Sequence, residues 1–174
     1  MIKDVHELRS ILVRDGIAAE SDIAGCSAAE LDDLERRHGS LPASYRQIMG
    51  LIGHGAGQLV DSGEFWIYAD QIGRIRDKVH AHLAEIRAAG EEVPDIPPIA
   101  FVISARYGEY PHYLLTGDAP DSIVYVFDDD DETVRKAFDS VWDWIEVFVK
   151  DTQFFLERGF LRSNPRRGEG GVRP

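Results

Sequence analysis

The sequence predicts an α+β fold, with N-terminal helices and a C-terminal helix packed on a small mixed or antiparallel sheet. Two observations carry this. Helical spacing dominates up to residue 89, and from residue 99 short apolar runs alternate with Pro-, Gly- and Asp-containing turns before one last amphipathic helix. Strands that follow one another through turns, without intervening helices, do not build a parallel βαβ sheet.

Each element has its own signal. Val5, Leu8, Ile11 and Leu12 share one helical face over residues 4–15, with Asp4 as cap and Gly16 as stop. Ser27 and Glu30 stand at capping-box spacing, and Cys26 and Leu31 flank them as a hydrophobic staple, which gives the lone cysteine a packing role. Leu31 and Leu34 then form the apolar stripe of a helix that Gly39 ends. Pro42 is expected at the first position of a third helix, where its missing N–H costs nothing. Tyr45, Ile48, Met49 and Ile52 are that helix's buried face, and the glycines of 53–57 read as a flexible loop. Residues 64–68 alternate, and read as a short strand or as extended chain entering the next helix. Ile72, Ile75, Val79, Leu83 and Ile86 line one side of a helix over 70–89, closed by Gly90.

A proline-stiffened connector covers 91–98. Strands are expected at 99–103, buried on both faces, at 110–115, where Pro111 demands an edge or a bulge, at 123–127, and at 133–138. The closing helix starts at the Ser140/Asp143 cap. Val141, Trp142, Ile145, Phe148, Val149 and Phe155 are expected in the core, with Trp144 partly exposed. Residues 1–161 form the expected single domain, and 162–174 a flexible basic tail.

Composition narrows the chemistry. The chain has 174 residues, 31 acids and 19 Lys+Arg, for a net charge of −12. The tail holds four arginines against Glu169, so residues 1–161 alone carry −15. Such a body repels phosphate backbones and anionic lipid, so neither direct nucleic-acid nor membrane binding is expected. No apolar run approaches bilayer length, and the acids of the first ten residues do not fit a signal peptide. One cysteine cannot form an internal disulfide or a Cys-rich zinc site, and the cytoplasm is the expected location.

The order of these signals resembles the SMI1/KNR4 (SUKH) superfamily. The residues that carry it are Glu30-Leu31, Leu34-Glu35, Gly39, Leu41-Pro42, Tyr45-Arg46 and Met49, then the turn at 106–110, the strand 123–128, and the AFDSVWDWIEVFV helix. The resemblance covers residues 25–150. His54 replaces a common Asn, and Tyr110-Pro111-His112 replaces a more regular polar strand. What the resemblance implies is a non-enzymatic immunity protein that binds and neutralises a cognate secreted toxin, with a basic nuclease the first candidate partner. Fungal relatives imply the alternative, a general protein-interaction scaffold without a toxin.

Candidate contact residues follow from charge and aromatic content. Asp128, Asp129, Asp130, Asp131 and Glu132 put five carboxylates in five residues. They read as a solvated turn or as an electrostatic landing patch. They match an EF-hand loop poorly, because position 6 is Thr133 and position 12 is Asp139. Tyr107 and Tyr110, flanking Gly108, are expected at an exposed turn, and Glu64 and Trp66 complete the candidate surface. Tyrosine and tryptophan supply rigid contact area with a polar tip.

Catalytic and metal patterns fail in sequence. His80 and His82 point apart on a helix, and His6, His38, His54 and His112 have no sequence-local partner at ligand spacing. The glycine loop lacks a following Lys-Ser/Thr. Ser104, Ser122 and Ser140 lie in no nucleophile elbow. Only a chance meeting of Glu64 with Asp118 would supply an acid pair. No cofactor or metal is expected, and the oligomeric state stays open.

Overall fold

In a computed structural model, residues 1–60, 65–92, 96–106, 109–128 and 133–161 are described. Helix α1 (Val5–Arg14) opens on Asp4, whose carboxylate accepts from the amides of His6 and Glu7, each at 2.9 Å. A 3₁₀ turn at Glu20–Asp22 leads into β1 (Ile23–Ala24). Helix α2 (Ala28–His38) begins on the expected capping box: Ser27 Oγ accepts from the Glu30 amide at 3.3 Å, and the Glu30 carboxylate accepts from the Ser27 amide at 2.7 Å. Cys26 and Leu31 are buried on either side of it.

Helix α3 (Ala43–Ile52) starts one residue later than the sequence suggested. Pro42 is its N-cap, with an extended ψ of 141°. It offers no side-chain cap, and none is needed. The first helical amides, Ala43 and Ser44, donate to the carbonyls of Ala119 and Pro120 at 2.9 and 3.0 Å. The glycine segment after α3 is not simply a loop, because β2 (Gly55–Ala56) pairs antiparallel with β1. Just after β1 the chain runs close against the backbone of α3. A Cβ on Gly25 would fall 1.9 Å from the Gly50 carbonyl oxygen, so only glycine fits there.

Strand β3 (Phe65–Trp66) precedes α4 (Ala69–Ala89), which ends at Gly90 with φ of 80°. Four more strands follow: β4 (Ala100–Arg106), β5 (Glu109–Leu115), β6 (Val124–Asp128) and β7 (Thr133–Phe138). With β3 they form one antiparallel sheet in the order β3-β4-β5-β6-β7. The fold is α+β, and the sheet is antiparallel rather than mixed. Ile99 stays outside the strand and is 52% exposed.

Pro111 sits in the central strand, which the bulge option allows and the edge option does not. Pairing runs Val102 to Tyr113, Ser104 to His112 and Arg106 to Glu109. Ile103 is therefore an extra residue on β4, while Tyr110 and Pro111 together oppose Ala105 on the other side. The two irregularities compensate, and the proline is never asked for a ladder hydrogen bond.

These bulges set what each face carries. Phe101, Ile103, Leu114 and Val124 join the main core with Leu8 and Leu12 of α1, Tyr45 and Ile48 of α3, and the last helix, α5 (Val141–Glu157). On the opposite face Ala105 and Val102 meet Ile75 and Val79 of α4. The Ser140 cap of α5 accepts from the Asp143 amide at 2.9 Å, as read from the sequence. The two tryptophans are exchanged, however. Trp144 is fully buried and Trp142 only half-buried, since Trp144 shares the face of Val141, Ile145, Phe148 and Val149.

Candidate partner-binding site

Antiparallel pairing gathers one set of strand ends. Phe65 lies opposite Arg106, Arg106 opposite Glu109, and Asp128 opposite Thr133. The β5–β6 register, His112 to Val126 and Tyr113 to Tyr125, runs on toward Tyr110 and Asp128 at this same end. Trp66, Tyr110 and Asp128, far apart in sequence, thus belong to one end of the sheet. Glu64, Tyr107, Asp129, Asp130, Asp131 and Glu132 lie outside the described residues.

The three described candidates differ in how they are held. Asp128 closes β6, and its Oδ2 is 3.2 Å from Arg135 Nη2 on β7, so the first carboxylate of the acidic run already has a cation beside it. Tyr110 takes a left-handed φ of 48° at the bulge and is half-buried. Trp66 lies on the α4 side of β3. The Arg74 guanidinium stands 4.3 Å from its ring centroid and the Lys78 ammonium 5.0 Å, two cation–π contacts that fasten the indole to α4.

Away from this end, the fold assembles a cluster that local reasoning missed. His54 Nδ1 is 3.0 Å from an Asp70 oxygen and Nε2 is 3.1 Å from Glu30 Oε1. The ring follows α3, while its partners sit in the first turns of α4 and α2. The hydrogen bond to Asp70, then that to Glu30, raises the His54 pKa above its ordinary value. Glu30 in turn is pulled down to about 2, first by the Ser27 amide, then by the Ser27 hydroxyl and His54. Cys26 lies beside this cluster, and burial above all pushes its thiol up to about 11, which suits packing and not nucleophilic attack. The carboxylates grip opposite ring nitrogens instead of converging on one point. Among the described residues no His/Cys/Asp/Glu group is arranged to hold a metal.

A second contact resembles a catalytic dyad and is not placed like one. Ser104 Oγ lies 3.0 Å from His112 Nδ1 and accepts from the Trp144 indole N–H at 3.2 Å. Ser104 is completely buried, so no substrate reaches its hydroxyl. Burial first, and Arg135 second, lower the His112 pKa to about 4, leaving a neutral imidazole that can accept the serine proton. The trio ties β4, β5 and α5 together.

An antiparallel five-stranded sheet between a helical core and α4, entered through a capped helix and closed by α5, defines an α+β domain whose aromatic and acidic groups meet at one sheet end. The chain belongs to the SMI1 / KNR4 family (SUKH-1), whose model matches residues 25–147, more than half of its length. No curated protein and no solved structure matches it. No helix among the described residues is long and apolar enough to cross a membrane.

Proposed function

We propose that this chain is an immunity protein that neutralises a cognate toxin by covering the toxin's cationic surface. Membership of the SMI1 / KNR4 family supports a protein partner of this kind. The observation that carries the choice of surface is the gathering of Trp66, Tyr110 and Asp128 at one sheet end, from which the chain continues into Glu64, Tyr107 and Asp129 to Glu132. An acidic patch with aromatic anchors beside it steers a basic partner into place and then excludes water around the contact. A nuclease is the first candidate, because the arginines and lysines that hold phosphate are the groups such a patch would mask.

Co-expression with the product of the adjacent reading frame tests the role. The expected result is co-purification together with rescue of growth, and a toxic product that this chain neither binds nor silences would overturn the reading. The surface has its own test. Replacing Asp128, Asp129, Asp130 and Asp131 with Asn should slow association about tenfold or more at low salt and flatten its salt dependence. An unchanged on-rate would move the contact elsewhere.

A further inference from the structure

Between α4 and the start of the sheet, packing is incomplete, and a cavity of about 430 Å³ remains. Its interior is apolar. Val102 and Tyr113, paired across β4 and β5, line it together with Val79 and Leu83 of α4, and Pro97 of the connector forms a further wall. Its rim carries the guanidiniums of Arg76 and Arg87 of α4, and no Asp or Glu is among the described residues that line it. Arg76 and Arg87 stand three turns apart, about 16 Å along the helix axis. They therefore bracket the apolar space.

The state of these two arginines sets them apart. Every other described arginine has a partner: Arg9 on Glu20, Arg14 on Asp15, Arg36 and Arg37 on Asp33, Arg46 on Asp32 and Glu35, and Arg135 on Asp128. Arg74 and Arg158 cover aromatic rings, and Arg106 also makes a contact. Neither Arg76 nor Arg87 has a carboxylate partner among the described residues. In a chain of net −12, two unneutralised guanidiniums around one apolar space form a local inversion of the molecule's charge. His38, whose ring lies tilted against Phe101 with centroids 5.1 Å apart, registers this: burial first, and the charge of Arg76 second, lower its pKa.

We propose that this cavity binds a small amphipathic organic anion, an apolar body capped by a single carboxylate. The body would lie on Val102, Leu83 and Tyr113, and the carboxylate would meet the arginine rim. The volume falls within the range of small-molecule sites. Val102 is four residues from Arg106, about 13 Å along the strand. The site nonetheless adjoins the proposed toxin surface, because Pro111 of its lining follows Tyr110 and Trp66 packs in the same cluster as Val102 and Leu83. Octanoate affinity and toxin association are separate readouts, so either proposal can fail alone.

Octanoate, 1-octanol and octyltrimethylammonium, titrated calorimetrically into the full chain at neutral pH and about 0.15 M salt, separate the terms. Octanoate should bind saturably at one site, at least about tenfold tighter than the alcohol, with the cation weakest. The Arg76→Gln/Arg87→Gln double variant, altered only on an exposed helix face, should bring octanoate down to the affinity of octanol and leave octanol unchanged. Leu83→Trp, which fills the cavity, should abolish binding of both. Equal affinity for octanoate and octanol, full octanoate binding by the double variant, or no saturable binding of octanoate would each overturn the proposal.

Discussion

At His54 a single imidazole links three segments, since Asp70 of α4 and Glu30 of α2 each take one ring nitrogen. Both nitrogens can donate only in the protonated ring, which is why the folded pKa lies above the unfolded value near 6.5. A raised folded pKa contributes stability that is fully present below about pH 6.5 and is lost as pH rises through the folded value. His54→Gln should therefore cost up to about 1 kcal/mol near pH 6, the scale of solvent-screened pairs, and almost nothing near pH 9. Urea unfolding of both proteins across that range measures the gap, and a gap that widened with pH would refute the assignment. The same cluster marks how far single residues can be read from sequence. Ser27 and Glu30 are three residues apart, so their mutual capping is a local matter and was legible. The partners of His54 lie 24 and 16 residues away, and only the tertiary fold brings them to it.

Among the elements, α5 separates what periodicity decides from what it leaves open. Val141, Ile145, Phe148 and Val149 define the buried stripe, yet Trp142 and Trp144 both border it. The choice falls to Trp144 because its indole N–H finds Ser104, which the β4 bulge turns onto the core face. A buried indole without such a partner would forfeit a hydrogen bond. Bulges leave little trace in composition, so the sequence offered Pro111 as the sole hint, and two readings of it. Trp144→Ala should cost about 3–5 kcal/mol, whereas Trp142→Ala should cost less than half as much. Denaturant midpoints of the two variants compare them directly, and equal losses would mean that both rings carry the core.

On the scale of the whole molecule, charge was legible throughout, whereas the cavity beside α4 was not, because it arises from how far a helix stands off a sheet. A net charge of −12 on one small chain implies self-repulsion in the folded state. Raising sodium chloride from about 0.01 to 0.15 M shortens the screening length from about 30 to about 8 Å. Thermal unfolding should then shift upward by about 2–4 °C, the equivalent of roughly 1 kcal/mol for a chain of this size. A downward shift would mean that specific ion pairs outweigh the general repulsion. The meander order of the large sheet has a kinetic corollary. Each of its strands neighbours the next one in the chain, and from β4 onward each partner is only a turn or short loop away. Little loop-closure entropy opposes such zippering, so β4 to β7 are expected to assemble hairpin by hairpin, ahead of the longer closure across α4 that brings β3 to the edge of the sheet.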